Sequence, residues 1–463
     1  MPDAARPDRL STIASAALLG GTVFTLADLF SDNHLFAGIA ITLIVCHILM
    51  RWRHVRTNAK VLLLLAALSA VLLVMAGGDP GSLALAASRA LYLPALLTVM
   101  AILRVAAMRS NIVNTAAHFV VDQPPSRRFV LLASGSHIFG ILLNLGGLQL
   151  LLGIALAQRD RTAPTPQIGE VQGRRIANAV MRGFAATILW SPVGLAMNML
   201  LPLMPTLGYV SYLPYGLGLM VVFFALGWVF DRLEPRPRRT FTPSPHKGAG
   251  LAMAALLGLL IAITGLSALA EAVIGIPMRA AILIVIPSMA VVWVLLTEGR
   301  PFSGNLTSLA RDGFRALPDS TSEICLIGAS AFLGLTVVEM LPADQLRLLI
   351  ENVSLGPEVI ACIIILLMTL VSQLGLSPMI GALVCSGAII SSGIDMPEVM
   401  LMLALMCGWS GSMLLSPFAS TLAIAMGMTG KSAREVGLRW NGPFILTYYA
   451  ISMTALLIAG ALL

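Results

Sequence analysis

Charge is scarce in this sequence. Of 463 residues only 11% are Asp, Glu, Lys or Arg, and aromatic residues make up a further 6%. So few charges argue against a water-soluble domain of this length. The net charge of +7 is no nucleic-acid signature, because most basic residues fall in short loops between apolar runs. No nucleic-acid partner is therefore expected. The five cysteines (Cys46, Cys325, Cys362, Cys385 and Cys407) all lie inside apolar runs without metal-ligand spacing. They read as packing residues and not as a disulfide framework. A nucleotide loop, a metal-ligand cluster and a defensible Ser/His/Asp arrangement are all missing, so neither an enzyme nor a cofactor is expected. A channel would call for a ring of charged pore-lining residues, and none is evident. The first residues, Met-Pro-Asp-Ala-Ala-Arg-Pro-Asp-Arg, lack a small-residue cleavage site after a short apolar core, which predicts a retained first helix and not a signal peptide.

Apolar residues, in contrast, make up 58% of the chain, and the mean hydropathy is +0.90. These values predict an all-α polytopic membrane protein whose main partner is the lipid bilayer. Spans are expected near 11–30, 35–50, 60–77, 83–108, 209–230, 251–270, 273–297, 324–341 and 441–463. Residues 1–34 form a tail and an extra first helix, 35–230 a first half, 231–250 a linker rich in proline and arginine, and 251–463 a second half.

Helix breakers inside the apolar runs carry the functional signal. Gly408 to Thr421 contains Ser416-Pro417, and Gly183 to Gly194 contains Ser191-Pro192 at the same distance from its leading glycine. Proline disfavours an unbroken helix, and Ser before Pro reads as an N-cap followed by the first helical position of a new half-helix. Broken helices are thus expected near 176–203, with Asn198 in the apolar continuation, and near 396–425. Backbone freed at membrane depth is tolerated only where it faces protein or a watery cavity, and two such breaks in matching halves point to a transporter site.

Each broken helix follows an interrupted apolar segment. The run 358–392 is too long for one crossing, and each arm around Ser372-Gln373-Leu374-Gly375-Leu376-Ser377-Pro378 is too short to cross alone. It reads as a re-entrant hairpin whose return arm starts at a Ser377 N-cap. The segment 129–157 is interrupted at Ser134-Gly135-Ser136-His137 and at Asn144-Leu145-Gly146-Gly147. It is flanked by Arg127 and Arg128 on one side and Arg159 and Arg161 on the other, so both flanks lie on one face of the membrane. With an inside N-terminus, the loops bearing Arg51 to Arg56, the central linker, Arg300 to Arg315 and Lys431 to Arg439 all fall inside. The map has about eleven crossings plus two hairpins, with the C-terminus outside. An odd number of crossings per half makes the two repeats inverted.

This arrangement resembles the ion transporter superfamily, in particular its divalent anion/sodium symporter branch. The resemblance covers nearly the whole chain in architecture. In that branch Ser-Asn-Thr at each hairpin tip, together with the broken-helix loops, holds sodium and a substrate carboxylate. The matching positions here are Ser134, Ser136 and His137 at the first tip and Ser372, Gln373 and Gly375 at the second, with Ser377 opening the return arm. The broken-helix positions are Ser191, Pro192 and Gly194, and Ser416, Pro417, Ser420 and Thr421. Neither tip carries the full Ser-Asn-Thr, which marks a divergent member. The resemblance implies a secondary active transporter of a small anionic organic solute in the cytoplasmic membrane. Sodium, near Ser136 and Ser372, or protons would couple transport, with elevator-like alternating access and a homodimeric assembly. The alternative on the same scaffold is a cation/proton antiporter or exporter, which an intramembrane carboxylate at the breaks would favour. None of the four breaks has one. His137 offers a proton carrier in place of sodium, against the plainer reading of a neutral histidine bonded to a carbonyl. Arg89, Arg104, Arg279 and Glu339 fall near span ends, where long side chains snorkel to the interface.

Overall fold

The computed structural model describes every residue except 1–8, 32–33, 125, 235–247, 300, 343, 346, 349–354 and 463. Residues 235–247 of the central linker, and Glu351 in the stretch expected to be amphipathic before the second hairpin, lie outside the described residues. Helices are the only regular secondary structure among the described residues. Its first half contains α1 (Arg9–Asp28), α2 (His34–Met50), α3 (Thr57–Met75), α4 (Pro80–Arg109), α5 (Asn111–Val121), α6 (Arg128–Leu143), α7 (Leu145–Thr162), α8 (Pro166–Ala185), α9 (Leu195–Leu200) and α10 (Tyr209–Leu233). The second half contains α11 (Ala249–Leu269), α12 (Met278–Glu298), α13 (Phe302–Ala316), α14 (Thr321–Glu339), α15 (Pro357–Gln373), α16 (Pro378–Ser391), α17 (Glu398–Leu415), α18 (Ser420–Thr429) and α19 (Gly442–Leu462).

Among the described residues, nine helical stretches are long and apolar enough to cross a membrane. The 17-residue α2 is apolar but shorter. The α8–α9 pair is less apolar, because α8 carries Glu170, Arg174, Arg175 and Arg182. The protein is an all-α polytopic membrane protein.

Two compact units emerge, and each draws on both halves of the sequence. The first comprises residues 1–111 and 261–341, the second 112–260 and 342–463. In the first unit α1 packs on α2 and α4, α14 lies against α3 and α4, and α12 against α4. His47 ties three of these helices together, with Nδ1 2.7 Å from the Ala14 carbonyl and Nε2 3.0 Å from Thr321 Oγ1. The loop expected over 300–315 is corrected, since Phe302–Ala316 is helical with Leu309 and Gly313 buried. Its few apolar residues are spaced by polar ones and give no continuous run, so length-based reading passes over it. Arg109 fastens this helix. It makes bonds of 2.6 and 2.8 Å to the two Glu298 oxygens, 3.1 Å to Asp312 and 2.6 Å to Ser308 Oγ.

The five cysteines are all unpaired; four are buried, while Cys46 is exposed on α2 and does not pack as expected. The second unit contains both interrupted segments and both broken helices.

Candidate functional site

In the second unit α6 and α7 form a helical hairpin, but its tip is not at Ser134–His137. The α6 helix runs unbroken through those residues to Leu143, and the chain reverses at Asn144, the only described non-glycine residue with positive φ (53°). Gly147 makes the reversal possible, because a Cβ there would collide with the Phe139 carbonyl across the turn. The 16 residues of α6 reach only ~24 Å at 1.5 Å per residue, short of a ~30 Å hydrocarbon core. Small and hydroxyl residues within α6 mimic a break in sequence, yet helices accommodate them by bonding to backbone. Ser136 does so, donating to the Val180 carbonyl of α8 at 2.7 Å.

His137 is also buried in the arm and not at the tip. Its Nδ1 lies 3.1 Å from the Gly183 carbonyl, and its Nε2 accepts the Trp190 indole N–H at 2.9 Å. Because indole nitrogen only donates, Nε2 must be the acceptor and Nδ1 carries the proton. Both ring nitrogens are therefore used in holding α6 to the first broken helix.

The second hairpin follows its sequence pattern. The turn between α15 and α16 passes through Gly375 (φ 102°). Ser377 caps α16 by accepting from Met379 N, with Pro378 in the first turn. The arms meet where Gly381 faces Met368 and Val371.

Both broken helices are present, but the Ser-Pro pairs do not start the new half-helices. In the first, α8 tightens into a 3-10 turn at Ala186–Leu189, and α9 begins at Leu195 with Gly194 as its N-cap. In the second, α18 begins at Ser420 with Ala419 as its N-cap. Each restart thus lies three residues past the expected position. Proline constrains the residue before it to extended backbone, and here the chain stays irregular through Pro192-Val193 and Pro417-Phe418 before resuming.

At the first break four freed carbonyls accept side-chain bonds. Tyr212 donates to Leu189 O at 2.8 Å and Tyr209 to Trp190 O at 3.3 Å, both from α10. Asn198 donates to Pro192 O and Gly194 O, at 2.5 and 2.9 Å. At the second, Ser416 donates to Ser372 O at 2.6 Å and accepts from Phe418 N, while Ser412 donates to Met368 O at 3.2 Å. The Ser136–Val180, Ser412–Met368 and Ser416–Ser372 bonds all join residues 44 apart. A hairpin arm is thus tied to its broken helix in both repeats, with the donor on the hairpin in the first and on the broken helix in the second. The Phe418 ring closes over Gly375, bringing the second break to the second tip.

Three buried polar atoms at these breaks have no hydrogen-bond partner: Ser191 Oγ, Thr421 Oγ1 and Gln373 Nε2. Ser136 and Ser372, the residues expected near sodium, each donate a hydrogen bond to a backbone carbonyl and keep their oxygen lone pairs. The Ser372 bond runs to Met368 O at 2.9 Å, and the Met368 and Ser372 carbonyls also accept from Ser412 and Ser416. No cluster of three or more His, Cys, Asp or Glu suited to a metal ion occurs among the described residues.

Two features escaped the sequence reading. Arg182, on α8 one turn before the break, is only 4% exposed. Its Nε donates to Asn441 Oδ1 at 3.0 Å and its Nη2 to Trp440 O at 3.2 Å, with the guanidinium 4.2 Å from the Phe444 ring centroid. A lone arginine in an otherwise small and apolar stretch was the available signal. The second is a cavity of about 490 Å³, lined among others by Arg159, Glu170, Arg174, Lys431 and Trp440. The basic stretch 159–175 comprises the end of α7 and the start of α8, which Thr165 caps by accepting from Ile168 N. In the cavity Lys431 pairs with Glu170, and this hydrogen bond holds the carboxyl below the ordinary glutamate range.

No family model matches the chain, and no curated protein matches it in sequence. Among solved structures it is similar to the YdaH transporter of Alcanivorax borkumensis, with a TM-score of 0.48 and 14% identity over 78% of this chain and 83% of that one. It is also similar to MtrF of Neisseria gonorrhoeae, described as illuminating a class of antimetabolite efflux pumps, with a TM-score of 0.47 and 13% identity over 78% of this chain and 79% of that one.

Proposed function

We propose that the protein is a secondary active transporter of a small anionic organic solute, coupled to sodium or protons and working as a homodimer in the cytoplasmic membrane. The observation that carries this reading is the twofold recurrence, within one compact unit, of a helical hairpin bonded to a helix broken in an apolar stretch. Paired discontinuous helices supply half-helix ends and loose backbone for binding solute and ion. The unit that holds them would carry the solute in an elevator-like cycle. Ser191 and Thr421, whose buried hydroxyls lack partners, are the groups best placed to contact a solute or a coupling cation.

That assignment separates two serines that sequence treats alike. Ser191→Ala removes no protein hydrogen bond, so the melting temperature without ligand should stay within the equivalent of ~0.5 kcal/mol while ligand response weakens. Ser416→Ala removes the short bond to Ser372 O and the acceptor of Phe418 N. It should cost about 1–2 kcal/mol. Equal destabilisation of both variants would contradict the assignment.

The reading itself is tested by the melting temperature of the detergent-purified protein against carboxylates, sulfonates, amino acids and inorganic anions, each in sodium, in potassium and across a pH series. A ligand that binds only the folded state raises apparent stability by mass action, ~2.7 kcal/mol at a hundred times its Kd. A sodium- or pH-dependent shift with one anion class is expected. Shifts with cations or pH alone, and none with any anion, would favour the antiporter.

A further inference from the structure

One face of α8 carries Glu170, Arg174, Asn178 and Arg182, spaced four residues apart, which places them in a row along the helix. The segment 431–441 of the second repeat lies opposite. Lys431 meets Glu170, and Asn441 donates to Asn178 Oδ1 at 3.2 Å while accepting from Arg182. A polar seam therefore runs between the repeats from the cavity, which Glu170, Arg174, Lys431 and Trp440 line, to Arg182 beside the first break. Trp440 belongs to both ends: its side of the segment lines the cavity and its carbonyl holds Arg182.

Every other charge of this row has an opposite charge at hand, but Arg182 does not. Its hydrogen-bond partners are a neutral amide and a carbonyl, and the acidic groups whose field reaches it, Asp231 and Glu234, are already held by Arg175 and Arg174. A buried guanidinium without a counter-ion is costly in apolar surroundings, and its planar fork suits a carboxylate or another oxyanion. Trp440, which lines the cavity and whose carbonyl holds Arg182, belongs to a π-helix, Arg434–Asn441, a distortion that recurs at functional sites.

We infer that the seam is the route by which an organic oxyanion reaches the transport site, and that Arg182 is the group that receives its charged end. This rests on the anionic-solute reading above and names the residue responsible.

The test uses the full-length protein in detergent, with benzoate, succinate and methanesulfonate as probes and benzamide and succinamide as uncharged controls. The wild type should be stabilised by at least one anion and by neither amide. Arg182→Gln should lose that shift, and Arg182→Lys, which keeps charge without the fork, should retain a reduced one. In parallel, an Asn178→Cys variant should react with an anionic sulfonate thiol reagent, at a rate the stabilising anion lowers at least fivefold. If Arg182→Gln melts lower without ligand but keeps the full anion shift, Arg182 is only a brace between repeats and the inference falls while the transport reading stands. A wild type that responds to no anion removes the anionic-solute reading and Arg182's role together. Labelling at position 178 that no stabilising anion slows overturns the route.

Discussion

Gly183→Val is expected to abolish folding, seen as loss of the monodisperse species in detergent and of a cooperative thermal transition. A Cβ at position 183 would collide with the Ala133 carbonyl oxygen and sit 2.7 Å from the Ala133 carbonyl carbon and Cα. These are backbone atoms of α6, which no rotamer change can move aside. Ordinary overpacking costs about 1–3 kcal/mol. Here the two helices must separate, so even Gly183→Ala should reach or exceed the upper end. Separation would also break the bonds from Ser136 to Val180 and from His137 to Gly183. Gly427→Ala on α18, where nothing lies within 4 Å of the added methyl, is the matched control. It should be neutral or stabilising by a few tenths to ~1 kcal/mol. Equal tolerance of both substitutions would mean that α6 and α8 do not approach as closely as described.

Gly408 stands eight residues before Ser416 as Gly183 stands before Ser191, and it lets α17 approach Met368 and the Ile365 carbonyl of α15. The shared Gly-to-Ser-Pro spacing was thus legible in sequence as a repeat, although its meaning, close packing of a hairpin arm on a broken helix, required coordinates. Span order, both hairpins and both breaks were also legible, because hydropathy and proline act locally. What sequence misplaced was where each break begins and ends. Ser134–His137 resembles a tip because its residues are small and polar, but side chain-to-backbone bonds across to α8 keep it helical. The reversal falls instead at Asn144, a residue type that tolerates positive φ. Arg182 was hidden for another reason. It lies in a stretch read for its serine and proline, and only the approach of Trp440 and Asn441 from more than 250 positions away shows that it has no counter-ion.

Asp231 illustrates the same limit and carries the second large effect. In sequence it opens a Pro/Arg-rich linker and looks solvated. In the structure it lies in the last turn of α10 and accepts from Nε and Nη2 of Arg175 on α8, at 2.9 and 2.7 Å, with side chains only 12% and 8% exposed for Arg175 and Asp231. Removing one partner of a buried ion pair leaves an uncompensated charge and typically costs ~3–5 kcal/mol, whereas replacing both with apolar residues is often neutral. Asp231→Ala should therefore lower stability by about that amount, while Asp231→Leu combined with Arg175→Leu should recover most of it. A double-mutant cycle in chemical denaturation measures the coupling directly. A single-variant cost below ~1 kcal/mol would show that the pair behaves as an exposed bridge. The anion response of the double variant tells more than its stability. Arg175 adjoins the face of α8 that leads to Arg182, so if the pair only anchors α10 to α8, the double variant should keep the full ligand-induced shift. If that shift falls while stability is restored, the charges at the mouth of the seam help to draw the solute in.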